Sequence, residues 1–172
     1  MLLVLGIILD LSFSFLFLLS VYHKWTDLRG FRDTLLKAGI VNSRLLSILP
    51  IVVIASELCI VLGYAGGWIA WATSSFTAAV LVAFSIFLLV QRRQGGTGCK
   101  CFGSESSLNR YPLTRNTVLL ALVAIHMILP AYRYAWHETI VFLLLISAVL
   151  MFYLASENVK RIRKLKLIGA EQ

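Results

Sequence analysis

Five apolar runs, each close to the roughly 20 residues a helix needs to cross a bilayer, divide this 172-residue chain. They fall at about 2–22, 45–64, 68–90, 114–132 and 139–156. Hydrophobic residues make up 59% of the chain and charged residues only 14%, well outside the range of soluble domains. An integral membrane protein, all-α and polytopic, is the class this pattern implies. The chain opens Met-Leu-Leu-Val-Leu-Gly with no Lys or Arg before His23, so the first run reads as a retained span rather than a cleaved leader.

The basic residues set an expected orientation, since short cytoplasmic loops collect Lys and Arg. Lys24, Arg29, Arg32, Lys37 and Arg44 follow the first run. Arg92, Arg93, Lys100, Arg110 and Arg115 flank the segment after the third, and Lys160, Arg161, Arg163, Lys164 and Lys166 form the tail. Only Arg133 remains of the 16 basic residues. Five spans with the N-terminus outside and the C-terminus in the cytoplasm put all three groups inside. The net charge of +8 is then a matter of topology and anionic headgroups, not of nucleic acid.

No internal repeat, low-complexity tract or interdomain linker appears, so a single membrane domain over 1–172 is expected. Leu28, Phe31, Leu35 and Leu36 recur at helical spacing, which suits a short amphipathic helix at the interface that stops at Gly39. Ala65-Gly66-Gly67 leaves room only for a tight turn, so the second and third spans should pack antiparallel.

Chemistry concentrates in Gly95-Gly-Thr-Gly-Cys-Lys-Cys-Phe-Gly103. Residues two apart on a helix point about 200° from each other, so Cys99 and Cys101 can bond only in a loop, where the glycines supply backbone freedom. So small a ring is strained, and strain suits a disulfide that turns over. Lys100, Arg92, Arg93 and Arg110 favour the thiolate. Two alternatives stand beside this: reduced, idle cysteines, and a zinc site, for which the loop offers no His and only Glu105.

Cys99-Lys-Cys-Phe-Gly103 after a third span, Arg115-Asn116 opening the next, Glu57 within the second, and His23-Lys24 with Asp27 and Gly30-Phe31 after the first together resemble the MauE family of methylamine utilisation membrane proteins, related to DoxX-like membrane proteins. The resemblance covers about Ser12 to Pro130. It implies a four-helix core plus a fifth C-terminal transmembrane helix. It also implies a bacterial inner (cytoplasmic) membrane and a role in maturing an exported, disulfide-rich redox enzyme subunit beside a thioredoxin-like partner of the MauD type. Carried over by residue, Cys99 and Cys101 become the redox pair, Lys24 and Glu57 polar fixtures, and Arg115-Asn116 the cap of the following span. Lys100 stands where that family usually has glycine.

Ionisable residues within spans form a second constellation. Counting from the cytoplasmic end of each run puts Asp10, Glu57 and His126 at one depth, roughly 18–20 Å in. Charges there are expensive, so a shared interior site is expected: a proton relay, a pocket for a quinone-like head group, or carboxyls and a neutral His that tie helices together. No cofactor is assigned beyond that quinone-like possibility. Cys59 reads as a buried small hydrophobe or a relay thiol. Trp25, Trp68, Trp71, Tyr64, Tyr132, Tyr134 and Trp136 read as interface belts, and Thr73-Ser74-Ser75 with Thr77 as helix packing.

Disulfides persist outside the cell, yet the charge pattern puts the cysteine pair inside. Both hold if reducing equivalents cross the membrane. Two functions therefore compete: a membrane thiol-disulfide oxidoreductase or electron conduit, and a non-enzymatic assembly factor or chaperone for the same client. Hydrolase, nucleotide-dependent and DNA-binding readings find no supporting motif.

Overall fold

In the computed structural model the described residues are 2–67, 70–93, 112–130 and 134–169, with side chains described as far as residue 159. Cys99, Lys100, Cys101, Glu105 and Arg110 lie outside them, as do Trp68, Tyr132 and Arg133. Every regular element among the described residues is helical: α1 (Leu2–Thr26), α2 (Leu28–Lys37), α3 (Ser43–Gly66), α4 (Ala70–Arg93), α5 (Pro112–Ile128) and α6 (Trp136–Gly169). The chain forms two compact units, Met1–Tyr134 and Ala135–Gln172.

Among the described residues four helices are long and apolar enough to cross a membrane: α1, α3, α4 and the Trp136–Val159 part of α6. The protein is thus a multi-pass helical membrane protein. The expected fourth span departs from the 114–132 reading. Pro112, whose fixed φ suits the first helical position, starts α5 earlier, and the helix ends at Ile128 ahead of Pro130. Its 17 residues rise only about 25 Å, short of the hydrocarbon thickness.

Within the first unit α1 packs antiparallel against α3, and α4 against α5. Lipid is as apolar as leucine, so close backbone approach and interior hydrogen bonds hold such helices together. Gly63 provides one approach: a Cβ there would lie 2.7 Å from Thr73 Cγ2, so α3 and α4 meet at a point that excludes a side chain. Gly67 ends α3 at φ 57°, in the left-handed region, and its N–H bonds Gly63 O at 3.1 Å.

α2 forms as the spacing predicts. The Asp27 side chain accepts the Gly30 N–H at 2.9 Å as its N-cap, Phe31 and Leu35 are buried, and Gly39 follows at φ 84°. α6, taken by itself, is a 34-residue helix whose start is closed by the Ala135 N–H bonding Glu138 Oε2 at 2.8 Å. Its backbone stays helical past the candidate span, through the basic segment that begins at Lys160.

Candidate functional site

α1 carries the polar residues Asp10, Ser14, Ser20 and Lys24 on its buried face, an arrangement that requires partners on the facing helices. Glu57 of α3 supplies the first. Lys24 Nζ forms an ion pair with Glu57 Oε1 and also donates to Ser20 Oγ at 2.7 Å, while Ser20 donates to the same carboxylate oxygen at 3.0 Å. Lys24 and Glu57 are each only 2% exposed. The Lys24 ammonium also lies 4.8 Å from the centroid of Phe84 in α4 and 5.8 Å from that of Phe31 in α2.

From the start of α5, Arg115 and Asn116 face the same region. Arg115 Nη2 donates to Asn116 Oδ1 at 3.2 Å, and Asn116 Nδ2 donates to Ser85 Oγ of α4 at 3.3 Å. A cavity of about 30 Å³, measured as space for the centres of water molecules, is lined by Ser20, Lys24, Glu57, Phe84, Arg115 and Asn116 among others. That is room for about two waters. Glu57 Oε2 is buried there with no hydrogen-bond partner among the described residues.

A second polar group lies about 15 Å along the bundle, the rise of the ten residues from Asp10 to Ser20 and from Asn116 to His126. Here His126 Nε2 is 2.8 Å from Asp10 Oδ1, Ser74 Oγ is 2.9 Å from His126 Nδ1, and Tyr134 donates to Asp10 Oδ2 at 2.9 Å. His126 thus ties α4 to α1 through its two ring nitrogens. Tyr64 stacks on Phe13 with centroids 5.0 Å apart and meets the His126 ring edge-on at 5.3 Å. Its hydroxyl is buried beside the side chains of Ser74 and Thr77.

Between the two groups stand Phe17, Leu81, Leu119 and Val123, all buried. Ser14 and Thr77 also fall in this layer, but their hydroxyls are occupied by the main-chain carbonyls of Val61 at 3.5 Å and Thr73 at 2.8 Å.

Several expectations change against this geometry. Asp10, Glu57 and His126 do not share one level: Asp10 meets His126, and Glu57 belongs with Lys24. The span ends do not form a common plane: Glu57 lies fourteen residues into α3 while its partner Lys24 lies two from the end of α1, so α3 runs on past α1 alongside α2. Lys24, read as a cytoplasmic topology charge, is buried because Glu57 neutralises it. Arg115-Asn116 sits inside α5 rather than capping it, since Pro112 begins the helix.

Cys59 is exposed on α3, about 200° around the helix from inward-facing Glu57, so it is neither buried nor in line with the interior polar groups. Tyr64 and Tyr134 are buried rather than belt residues. Trp25, Trp71 and Trp136 are exposed, as a belt requires. Ser20, Ser74, Ser85 and Tyr134 join the polar groups without having been singled out as site residues. Ser20 had a legible signal, one helical turn before Lys24. Among the described residues no group of three His, Cys, Asp or Glu side chains could hold a metal ion.

Residues 2–130 match the family model described as methylamine utilisation protein MauE. No curated protein and no solved structure matches the chain.

Proposed function

This chain belongs to the MauE family of methylamine utilisation proteins, and from that premise we propose that it is a membrane thiol redox component. In this reading Cys99 and Cys101 exchange electrons with a thioredoxin-like protein during maturation of an exported, disulfide-rich redox enzyme. The observation that carries it is the position of the buried ion pair. Lys24, Glu57, Arg115 and Asn116 lie toward the end of the first unit from which the chain leaves α4 at Arg93 and returns to α5 at Pro112. Cys99 follows Arg93, the last residue of α4, by six positions in the sequence. Arg92, Arg93 and Arg115 lie at this end, and cations favour thiolate over thiol. The matched stretch, 2–130, includes both cysteines.

The exchange balances as follows. A thiolate of the pair attacks a disulfide of the partner and forms a mixed disulfide. The second cysteine then displaces the partner's sulfur, leaving a Cys99–Cys101 disulfide here and a dithiol there, with two electrons and two protons passed to the partner. A cytoplasmic thiol donor resets the pair by the reverse exchange. The charge asymmetry supports a bacterial inner membrane orientation with the N-terminus outside and the cysteine segment in the cytoplasm. The partner and its client lie outside, where disulfides persist, so exchange with the partner requires the pair, once reduced by the cytoplasmic donor, to reach the outer face.

The test is a Cys99→Ser/Cys101→Ser double variant expressed in place of the native chain. Its expected phenotype is native membrane insertion with an exported client whose disulfides are wrongly paired. Normal client maturation by the double variant overturns the redox reading and leaves a non-enzymatic assembly factor.

A further inference from the structure

Exposed cations cluster on α2, outside both interior polar groups. The helix turns Phe31, Thr34 and Leu35 inward, which leaves Arg29, Arg32, Asp33, Leu36 and Lys37 exposed around its outer side. Arg29, Arg32 and Leu36 follow one another at spacings of three and four, so they form one ridge. Trp25, in the last turn of α1 and 67% exposed, stands four residues ahead of Arg29.

The neighbouring helix fixes the depth of this ridge. α2 packs on the part of α3 that runs past Lys24, and that part carries Leu45, Ile48, Ile51 and Val52 with their side chains exposed. Apolar side chains exposed on a membrane span face lipid, so α2 beside them lies against lipid rather than out in water. Arg44, exposed one turn before Ile48, marks the headgroup level on α3 itself. Arginines at this depth run their stems along apolar surface and place their guanidinium groups among phosphates.

Charge then selects among lipids. The exposed ionisable residues between Tyr22 and Leu45 are Arg29, Arg32, Lys37 and Arg44 against Asp27 and Asp33, and Asp27 is engaged as the N-cap of α2. Lys24 and Glu57 cancel each other inside. The outer face of this stretch is therefore positive, and a headgroup with a net negative charge answers it where a zwitterionic one does not. Guanidinium groups also match phosphate oxygens in geometry, which an ammonium does not.

We propose that the outer face of α2 is a lipid site in which Arg29 and Arg32 hold the phosphate of an anionic phospholipid, with Trp25 and Leu36 against its glycerol and acyl region. This goes beyond the thiol reading and does not depend on either cysteine.

The test uses the full chain in phosphatidylcholine vesicles that carry a small fraction of either brominated phosphatidylglycerol or brominated phosphatidylcholine. Comparison with Trp25→Phe isolates the quenching of Trp25 from that of the other tryptophans, of which the chain has four in all. The expected result is stronger quenching of Trp25 by the brominated phosphatidylglycerol. Arg29→Gln/Arg32→Gln is expected to weaken the apparent affinity for that lipid on the order of twentyfold, the attraction of two cations. Quenching by brominated phosphatidylcholine is retained in that variant and shows that it has inserted. Lys164→Gln/Lys166→Gln, which removes the same charge from the tail, is expected to leave the preference at Trp25 in place. Equal quenching of native Trp25 by the two lipids overturns the proposal, as does a preference that the α2 variant keeps or the tail variant abolishes.

Discussion

Lys24 shows how an ammonium comes to rest inside a membrane bundle. Its stem runs along the interior face of α1, and its head is held by Glu57, Ser20 and the Phe84 ring. Removing one member of such a pair strands the other, at a penalty of about 3–5 kcal/mol. Lys24→Met is therefore expected to lower the thermal midpoint of the chain in detergent strongly, followed by circular dichroism. Lys24→Met/Glu57→Leu should recover most of the loss, because no lone charge remains. The sequence marks Lys24 and Glu57 as notable but not as partners. A hydropathy reading treats a lysine as the edge of a span, and burial of that lysine is decided by a residue thirty-three positions away. Ser74 is a similar case: its hydroxyl looks like any small helix-packing residue until His126 arrives beside it.

At the scale of elements, α1, α3 and α4 are legible almost to their ends, since long apolar stretches must be helical in hydrocarbon. The short α2 is legible too, from the spacing of its leucines, its Asp27 cap and Gly39. The extent of α5 is less so, because two prolines rather than hydropathy set its ends. The approach of α3 to α4 rests on Gly63 facing Thr73. Gly63→Val is expected to destabilise the bundle by about 1–3 kcal/mol through overpacking at that crossing, read as a fall in the denaturant midpoint. Thr73→Ala in the same chain should restore part of it by vacating the space. Gly67 terminates α3 in a conformation that costs other residues about 1–2 kcal/mol, so Gly67→Ala should destabilise without changing helix content.

For the whole molecule, the match to the family ends at residue 130 and the first compact unit ends at Tyr134. A chain truncated after Tyr134 is expected to insert and to lose only the helical signal of the 34 residues of α6, read by circular dichroism. A larger loss of helix would make α6 part of the fold of the first unit. The four-helix core and the separate last helix were legible from five hydropathy peaks and a resemblance that stops before the fifth. The division of polar residues into two groups was not, because relative sliding of helices leaves no trace in any one segment. That division bears on how the two faces communicate. α1, α3, α4 and α5 each contribute to both polar groups, with Phe17, Leu81 and Leu119 buried in the layer between them, while Cys59 is exposed on another face of α3. A tilt or slide of any one of these four rods is therefore felt at both groups at once.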